Sequence, residues 1–194
     1  MSYSLWCLVL GAKEKIELSD TKHFTLESTY YPYSFKDIGY EASSLMQMGR
    51  GMRVELFNIK HLDGAAGALC LCEADWDYPK ESIKYPDWVN MEAADYDLVP
   101  LIIFDEYLDE FKRIMQFLIN KSPIGKMMFL ARFQGCNEDV VCGTIQISDF
   151  FTLLSQKRIL FNVCYILIKD HDEDYYRWRG PVADDDDFDE LPTL

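Results

Sequence analysis

The residues in this chain with the most latent chemistry are six cysteines and three histidines, and their spacing decides what kind of chemistry is open to them. Cys70 and Cys72 form a C-x-C pair with His61 upstream, and Cys136 and Cys142 stand further along. Zinc sites usually present C-x(2–4)-C knuckles, often twice, and no second knuckle of that kind occurs. Alternate residues of a strand share one face, so Cys70 and Cys72 in the apolar run Ala68–Ala74 read as core packing, where free cysteine behaves as a small hydrophobe. His23, His61 and His171 lie in no setting that marks a cysteine nucleophile and its base. G-x-S-x-G, H-E-x-x-H, P-loop and G-x-G-x-x-G patterns are all missing from the sequence. Gly49-Arg50-Gly51 is only a G-x-G fragment and reads as the end of a helix. No metal, no cofactor and no catalytic residues are expected, and the chain reads as a protein that is not an enzyme.

Carboxylates are abundant. Asp75 and Asp77, or Asp172, Glu173 and Asp174, are acids of the kind used for general acid–base work or for holding hard cations. The run Asp170–Asp174 lacks the glycine and the spaced glutamate of a calcium loop, and a solvated acidic face is the commoner meaning of such a run. A sharper reading comes from the aromatic residues set among these acids. Trp76 stands between Asp75 and Asp77, in a segment that continues with Tyr78, Tyr85, Trp88 and Tyr96. Tyr175, Tyr176 and Trp178 follow Asp172–Asp174 and precede the run Asp184, Asp185, Asp186, Asp187. Aromatic anchors ringed by charge are the composition of interface hot spots. The expected partner-binding residues are therefore Asp75, Trp76, Asp77, Asp172, Glu173, Asp174, Tyr175, Tyr176, Trp178 and Asp184–Asp187. The competing readings are a disordered, solubilising tail and aromatics buried under a loop.

Charge narrows the partner. The net charge is −14, and residues 170–194 hold ten acidic against two basic side chains, −8 of that total. Phosphate contact needs clustered Lys and Arg, so direct nucleic-acid binding and anionic membrane surfaces are disfavoured. A basic protein partner is favoured, because a one-signed field speeds encounter with the opposite sign. No apolar run approaches a membrane span. The run Leu5–Leu10 lacks the basic segment and the length of a signal peptide. A reducing cytoplasmic setting with free thiols is expected.

The elements that must carry these residues follow from 194 residues that are 49% hydrophobic and 14% aromatic, enough for one domain with a substantial core. The expected division is an α+β domain over 1–169 and an acidic C-terminal tail over 170–194. Tyr3–Leu10 reads as a buried strand closed by Gly11, and Lys13–Ser19 as a polar arm. Thr21–Tyr33 reads as a loop, because Pro32 blocks pairing. A helix is expected from Ser34 to about Met48, and a strand over Met52–Lys60 with Val54 and Leu56 on one face. Asp63–Gly67 reads as a turn, and Asp75–Val99 as a long surface loop. The best helix is Asp105–Lys121, with Phe104, Tyr107, Leu108, Phe111, Ile114, Met115 and Leu118 at helical spacing. Asp109 can pair there with Lys112 or Arg113, and Ser122-Pro123 ends the helix. Met127–Gln134 and Val140–Ile147 are expected as a hairpin. Ser148 or Asp149 is expected to cap a short helix, and Ile159–Ile168 to form a central strand covered on both faces. The fold class is a central, mostly antiparallel sheet with a long helix, about 105–121, packed on it.

Three stretches add a resemblance. SPIGKMMFLARFQG, CGTIQISDFF and KRILFNVCYILI resemble the C-terminal half of small bacterial immunity proteins, which accompany polymorphic toxins, including those of contact-dependent growth inhibition. The likeness covers roughly Lys121–Lys169 and extends to YSLWCLVL and YYPYSF. It implies a cytoplasmic inhibitor, without activity of its own, that binds one cognate toxin domain. Many such toxins are nucleases with basic clefts. Binding residues in these proteins vary with the toxin, so none is carried over. Three other readings stand beside it: an enzyme with an unrecognised acid-rich site, an adaptor subunit, and a nucleic-acid mimic that binds another protein.

Overall fold

The computed structural model describes residues 3–31, 50–59, 71–78, 99–133 and 140–169, apart from the side chains of 140–143. The expected helix from Ser34, the turn Asp63–Gly67, the loop beyond Tyr78 and the tail 170–194 lie outside the described residues.

The fold is α+β. Six strands form one mixed sheet: β1 (Tyr3–Leu10), β2 (Phe24–Tyr31), β3 (Gly51–Asn58), β6 (Lys126–Phe133), β7 (Val140–Gln146) and β8 (Val163–Ile168), in the order β2-β3-β1-β6-β8-β7. A small second sheet pairs β4 (Cys72–Ala74) with β5 (Leu101–Ile103). Helices α1 (Asp105–Lys121) and α2 (Ile147–Ser155) complete the described elements. Every pairing in the large sheet is antiparallel except that of β7 with β8.

The middle of the sheet is apolar on both faces. Leu5, Cys7 and Val9 of β1 point to the face that α1 and α2 cover, with Val54, Leu56, Phe129 and Tyr165 beside them. Leu8 and Leu10 point the other way, in a second cluster with Met128, Leu130, Cys164 and Ile166. Alternation of this kind on two covered faces produces the near-continuous apolar runs read in β1, β6 and β8. Helix α1 buries Phe111, Ile114, Met115, Leu118 and Ile119, each contributing about 1.5–3 kcal/mol when removed from water. Asp105 and Glu106 stand in its first turn and Lys121 in its last, matching the helix dipole. Arg113 turns to the neighbouring loop, donating to the Asp20 carbonyl and pairing with Glu110 at 3.9 Å. Ser122 ends the helix: its hydroxyl donates to the Leu10 carbonyl at 2.7 Å and accepts from the Lys126 amide at 3.0 Å. One side chain thus ties α1, β1 and β6 together.

Four expectations are corrected. Thr21–Tyr33 is not a loop: β2 occupies most of it and ends at Tyr31, before Pro32 in the sequence. Gly51 does not end a helix but begins β3 opposite Leu10, where a Cβ would stand 2.1 Å from the Val9 carbonyl oxygen. That backbone approach requires glycine. Strands β6 and β7 do not form a hairpin. β8 lies between them, antiparallel to β6 and parallel to β7, because α2 intervenes between β7 and β8 and a helical crossover returns the chain parallel. Helix α2 starts at Ile147 with Gln146 as its cap residue and no side-chain cap, so neither Ser148 nor Asp149 plays that part.

The run Ile159–Ile168 is central, as expected, but only its last six residues belong to the large sheet. Asn162 adopts φ 59°, which breaks the strand. Upstream of it the chain crosses to the small sheet, bridging Pro100 with Leu160 and donating from Leu101 N to the Ile159 carbonyl at 2.7 Å. The side-chain oxygen of Asn162 replaces part of the missing ladder, accepting from the Phe133 amide at 3.2 Å, while the Asn162 backbone N–H donates to the Ala131 carbonyl at 2.7 Å. Among the described residues no helix is long and apolar enough to cross a membrane.

Candidate functional site

The crossing at Asn162 brings together, at one end of the sheet, residues far apart in sequence. Phe133 ends β6, Phe161 precedes Asn162, and Tyr3 begins β1. Phe133 stacks on Phe161 with ring centres 4.6 Å apart and planes at 16°. Tyr3 tilts against both, at 5.4 Å and 4.9 Å. All three rings are buried. A fourth ring continues the stack outward: Trp76 lies on Phe133 at 5.3 Å and 16° and is 44% exposed. Offset parallel stacking of this kind contributes about 0.5–1.5 kcal/mol beyond area burial. It also fixes the plane in which the indole is presented.

Trp76 sits in the turn Asp75–Tyr78 that follows β4. Asp75 N donates to the Pro100 carbonyl at 3.0 Å and Tyr78 N to the Asp75 carbonyl at 3.3 Å, closing the turn. The Asp75 carboxylate is engaged by Lys157, whose ammonium donates to Oδ2 at 3.1 Å and lies 6.0 Å from the centre of the Tyr78 ring. Asp77 is exposed and makes no ion pair among the described residues.

Lys157 holds this turn from an unusual backbone position. Helix α2 ends with Lys157 N bonded to the Leu154 carbonyl at 3.1 Å and Arg158 N to the Leu153 carbonyl at 2.9 Å. That pair of hydrogen bonds is the Schellman arrangement, whose left-handed residue is usually glycine. Here it is Lys157, at φ 55°. A glycine would fit the backbone better but would carry no ammonium to Asp75.

Of the expected partner-binding residues, Asp75, Trp76 and Asp77 are brought to one turn. They differ in what they leave available: Asp75 is tied to Lys157, while Trp76 and Asp77 face outward. Asp172, Glu173, Asp174, Tyr175, Tyr176, Trp178 and Asp184–Asp187 lie outside the described residues. Phe133, Phe161, Tyr3 and Lys157 were not expected at the site. Lys157 alone carried a local signal, a basic residue just past a helix end where glycine is common.

The cysteines divide similarly. Cys7, Cys72 and Cys164 are buried free thiols, and Cys70, Cys136 and the side chain of Cys142 are outside the described residues. Cys7 donates to the Met115 sulfur at 3.6 Å. Burial pushes the thiols of Cys7 and Cys72 far above their ordinary range, the opposite of what a nucleophile or metal ligand needs. Among the described residues no three His, Cys, Asp or Glu side chains converge on one point. Compared with family models, curated proteins and solved structures, the chain matches none.

Proposed function

We propose that this protein is an inhibitor of the immunity type, which binds a basic toxin domain, a nuclease, and covers its active site from within the cytoplasm. The observation that carries this reading is the turn Asp75–Tyr78: an indole backed by a stack of core rings, held outward beside a carboxylate, on a chain of net charge −14. A rigid aromatic anchor loses little conformational freedom on binding. The surrounding negative field steers a basic partner toward it. The resemblance of Lys121–Lys169 to immunity proteins points the same way on separate grounds.

The test is direct binding to the protein encoded immediately upstream, measured across a salt series. Tight binding that weakens steeply with salt, together with loss of the partner's nuclease activity on complex formation, is the expected result. No binding, or binding indifferent to salt, overturns the reading.

A further inference from the structure

We infer that Trp76 and Asp77 form a seat for a single arginine side chain of the basic partner, with the guanidinium lying on the outer face of the indole and pairing with the Asp77 carboxylate. The inference rests on the interaction reading above and commits it to one chemistry. Phe133 stacks on one face of the Trp76 ring at 5.3 Å and 16°, and the residue is still 44% exposed. An aromatic face carries the negative side of the ring quadrupole and attracts cations.

The carboxylates beside it are not equivalent. Asp75 is neutralised by Lys157 at 3.1 Å, and the same ammonium lies near the Tyr78 ring. That leaves Trp76 as the ring, and Asp77 as the acid, without a cation among the described residues of the turn. An apolar partner group would strip water from the Asp77 carboxylate without replacing it, which is costly. A lysine ammonium would satisfy the charge but could not stack. A planar guanidinium does both, lying flat on the ring and presenting N–H groups at its edge to the carboxylate. The chain already uses this pairing internally: the guanidinium carbons of Arg53 and Arg132 lie 5.5 Å and 5.9 Å from the centre of the Trp6 ring.

The test uses the full-length protein and blocked tripeptides Gly-Arg-Gly, Gly-Lys-Gly and Gly-norleucine-Gly. A single cation per probe avoids multivalent attraction to acids elsewhere in the chain. The readout is the indole N–H resonance of Trp76, assigned by its loss in Trp76→Phe. The arginine probe is expected to shift this resonance saturably, at concentrations several-fold below the lysine probe, with no saturable shift from norleucine. Asp77→Asn should weaken the arginine effect several-fold. Equal response to arginine and lysine, an unmoved Trp76 resonance, or an Asp77→Asn protein that responds like the parent each overturns the inference. An unmoved resonance alongside intact toxin binding would remove the arginine seat and leave the proposed function standing. A saturable arginine response in a protein that fails to bind the toxin would do the reverse.

Discussion

Two tryptophans in this molecule stand in contrasting surroundings. Trp6 lies in β1, at the centre of the six-stranded sheet, beside the cluster of Leu8, Leu130 and Cys164. Arg53 and Arg132 bring guanidinium groups to its ring from the two neighbouring strands. Trp76 lies in a turn after a three-residue strand, stacked on Phe133 and 44% exposed. The first ring has its cations supplied by the fold. The second is oriented by its stack on Phe133, with no cation over its ring among the described residues. The carboxylates make the same contrast. Glu110 accepts from the amides of Lys22 and His23 at 2.7 Å and 3.0 Å and pairs with Arg113, all within the chain, whereas Asp77 is left outward. A side chain whose interactions close within the chain serves the fold, and among the described residues Trp76 and Asp77 are the members of the turn left open.

This contrast breaks most readily at the rings. Phe133→Ala removes a buried ring that touches Phe161, Tyr3 and Trp76, and should cost about 3–5 kcal/mol of unfolding free energy, the usual range for deleting a core aromatic. Trp76→Ala should cost less, about 2 kcal/mol, because a large part of the residue is already in water, yet it should abolish most of the partner affinity. Chemical denaturation of both variants checks this. If the two costs are equal, Trp76 is a core residue and its exposure is incidental.

The parts of the fold that could be read from the sequence are those determined locally. Helix α1 was legible because Phe111, Ile114, Met115 and Leu118 recur at helical spacing, and β3 because Val54 and Leu56 alternate with Glu55 and Phe57. β2 does not stand out because one of its faces is Thr25, Glu27 and Thr29, which look like a loop once the apolar partners Phe24 and Leu26 are discounted beside Pro32. The order of β6, β8 and β7 depends on which strand edges meet, and turn-like residues between β6 and β7 do not decide that. The strand–helix–strand succession from Val140 to Ile168 was the available signal for a parallel return. At the site, Asp75, Trp76 and Asp77 stood out by type. Their neighbours did not, since Lys157 is 82 residues from Asp75 and the stack on Phe133 exists only after the chain turns at Asn162.

The next effect in size concerns the closed carboxylate. Glu110→Ala leaves the Lys22 and His23 amides without their acceptor, and the half-buried His23 amide cannot be fully rehydrated. A loss of about 2 kcal/mol is expected from unsatisfied donors of this kind, with faster hydrogen exchange at residues 22 and 23. Asp77→Ala should change stability by less than about 0.5 kcal/mol, as surface substitutions usually do. Equal losses would show that openness at Asp77 is not what distinguishes the two acids.

Buried thiols allow the same two regions to be compared by pH. Cys7 follows Trp6 in β1, and Cys72 begins the strand that leads to Trp76. Burial raises both thiol pKa values in the folded chain, so the neutral form is favoured by folding. Their contribution is fully present below the unfolded pKa of about 8.5 and falls as pH rises above it, by about 1.4 kcal/mol per thiol at one pH unit higher. Cys7→Ala should remove one thiol's share of this alkaline slope. At pH 8, Cys72 should react with a thiol reagent faster than Cys7, because a two-stranded sheet opens locally at lower cost than the centre of a six-stranded one. Equal rates would mean that the turn and the central sheet open as one unit.

At Lys157 the expected change in stability is small because two effects oppose each other. Lys157→Gly relieves a left-handed backbone that costs a non-glycine residue about 1 kcal/mol. It also removes a half-exposed ion pair to Asp75, worth about 0–1 kcal/mol in such settings, and the contact with the Tyr78 ring. The net change in unfolding free energy should lie within about 1 kcal/mol of zero. The turn should respond differently from the global fold: without its ammonium tether, Asp75 regains an uncompensated charge and Trp76 loses part of what fixes its plane. Partner affinity should therefore fall while stability holds, with Lys157→Arg retaining more affinity than Lys157→Gly because it keeps a cation in reach of Asp75. If Lys157→Gly binds like the parent protein, the lysine at this helix end has no part in presenting Trp76, and the stack on Phe133 alone fixes the ring.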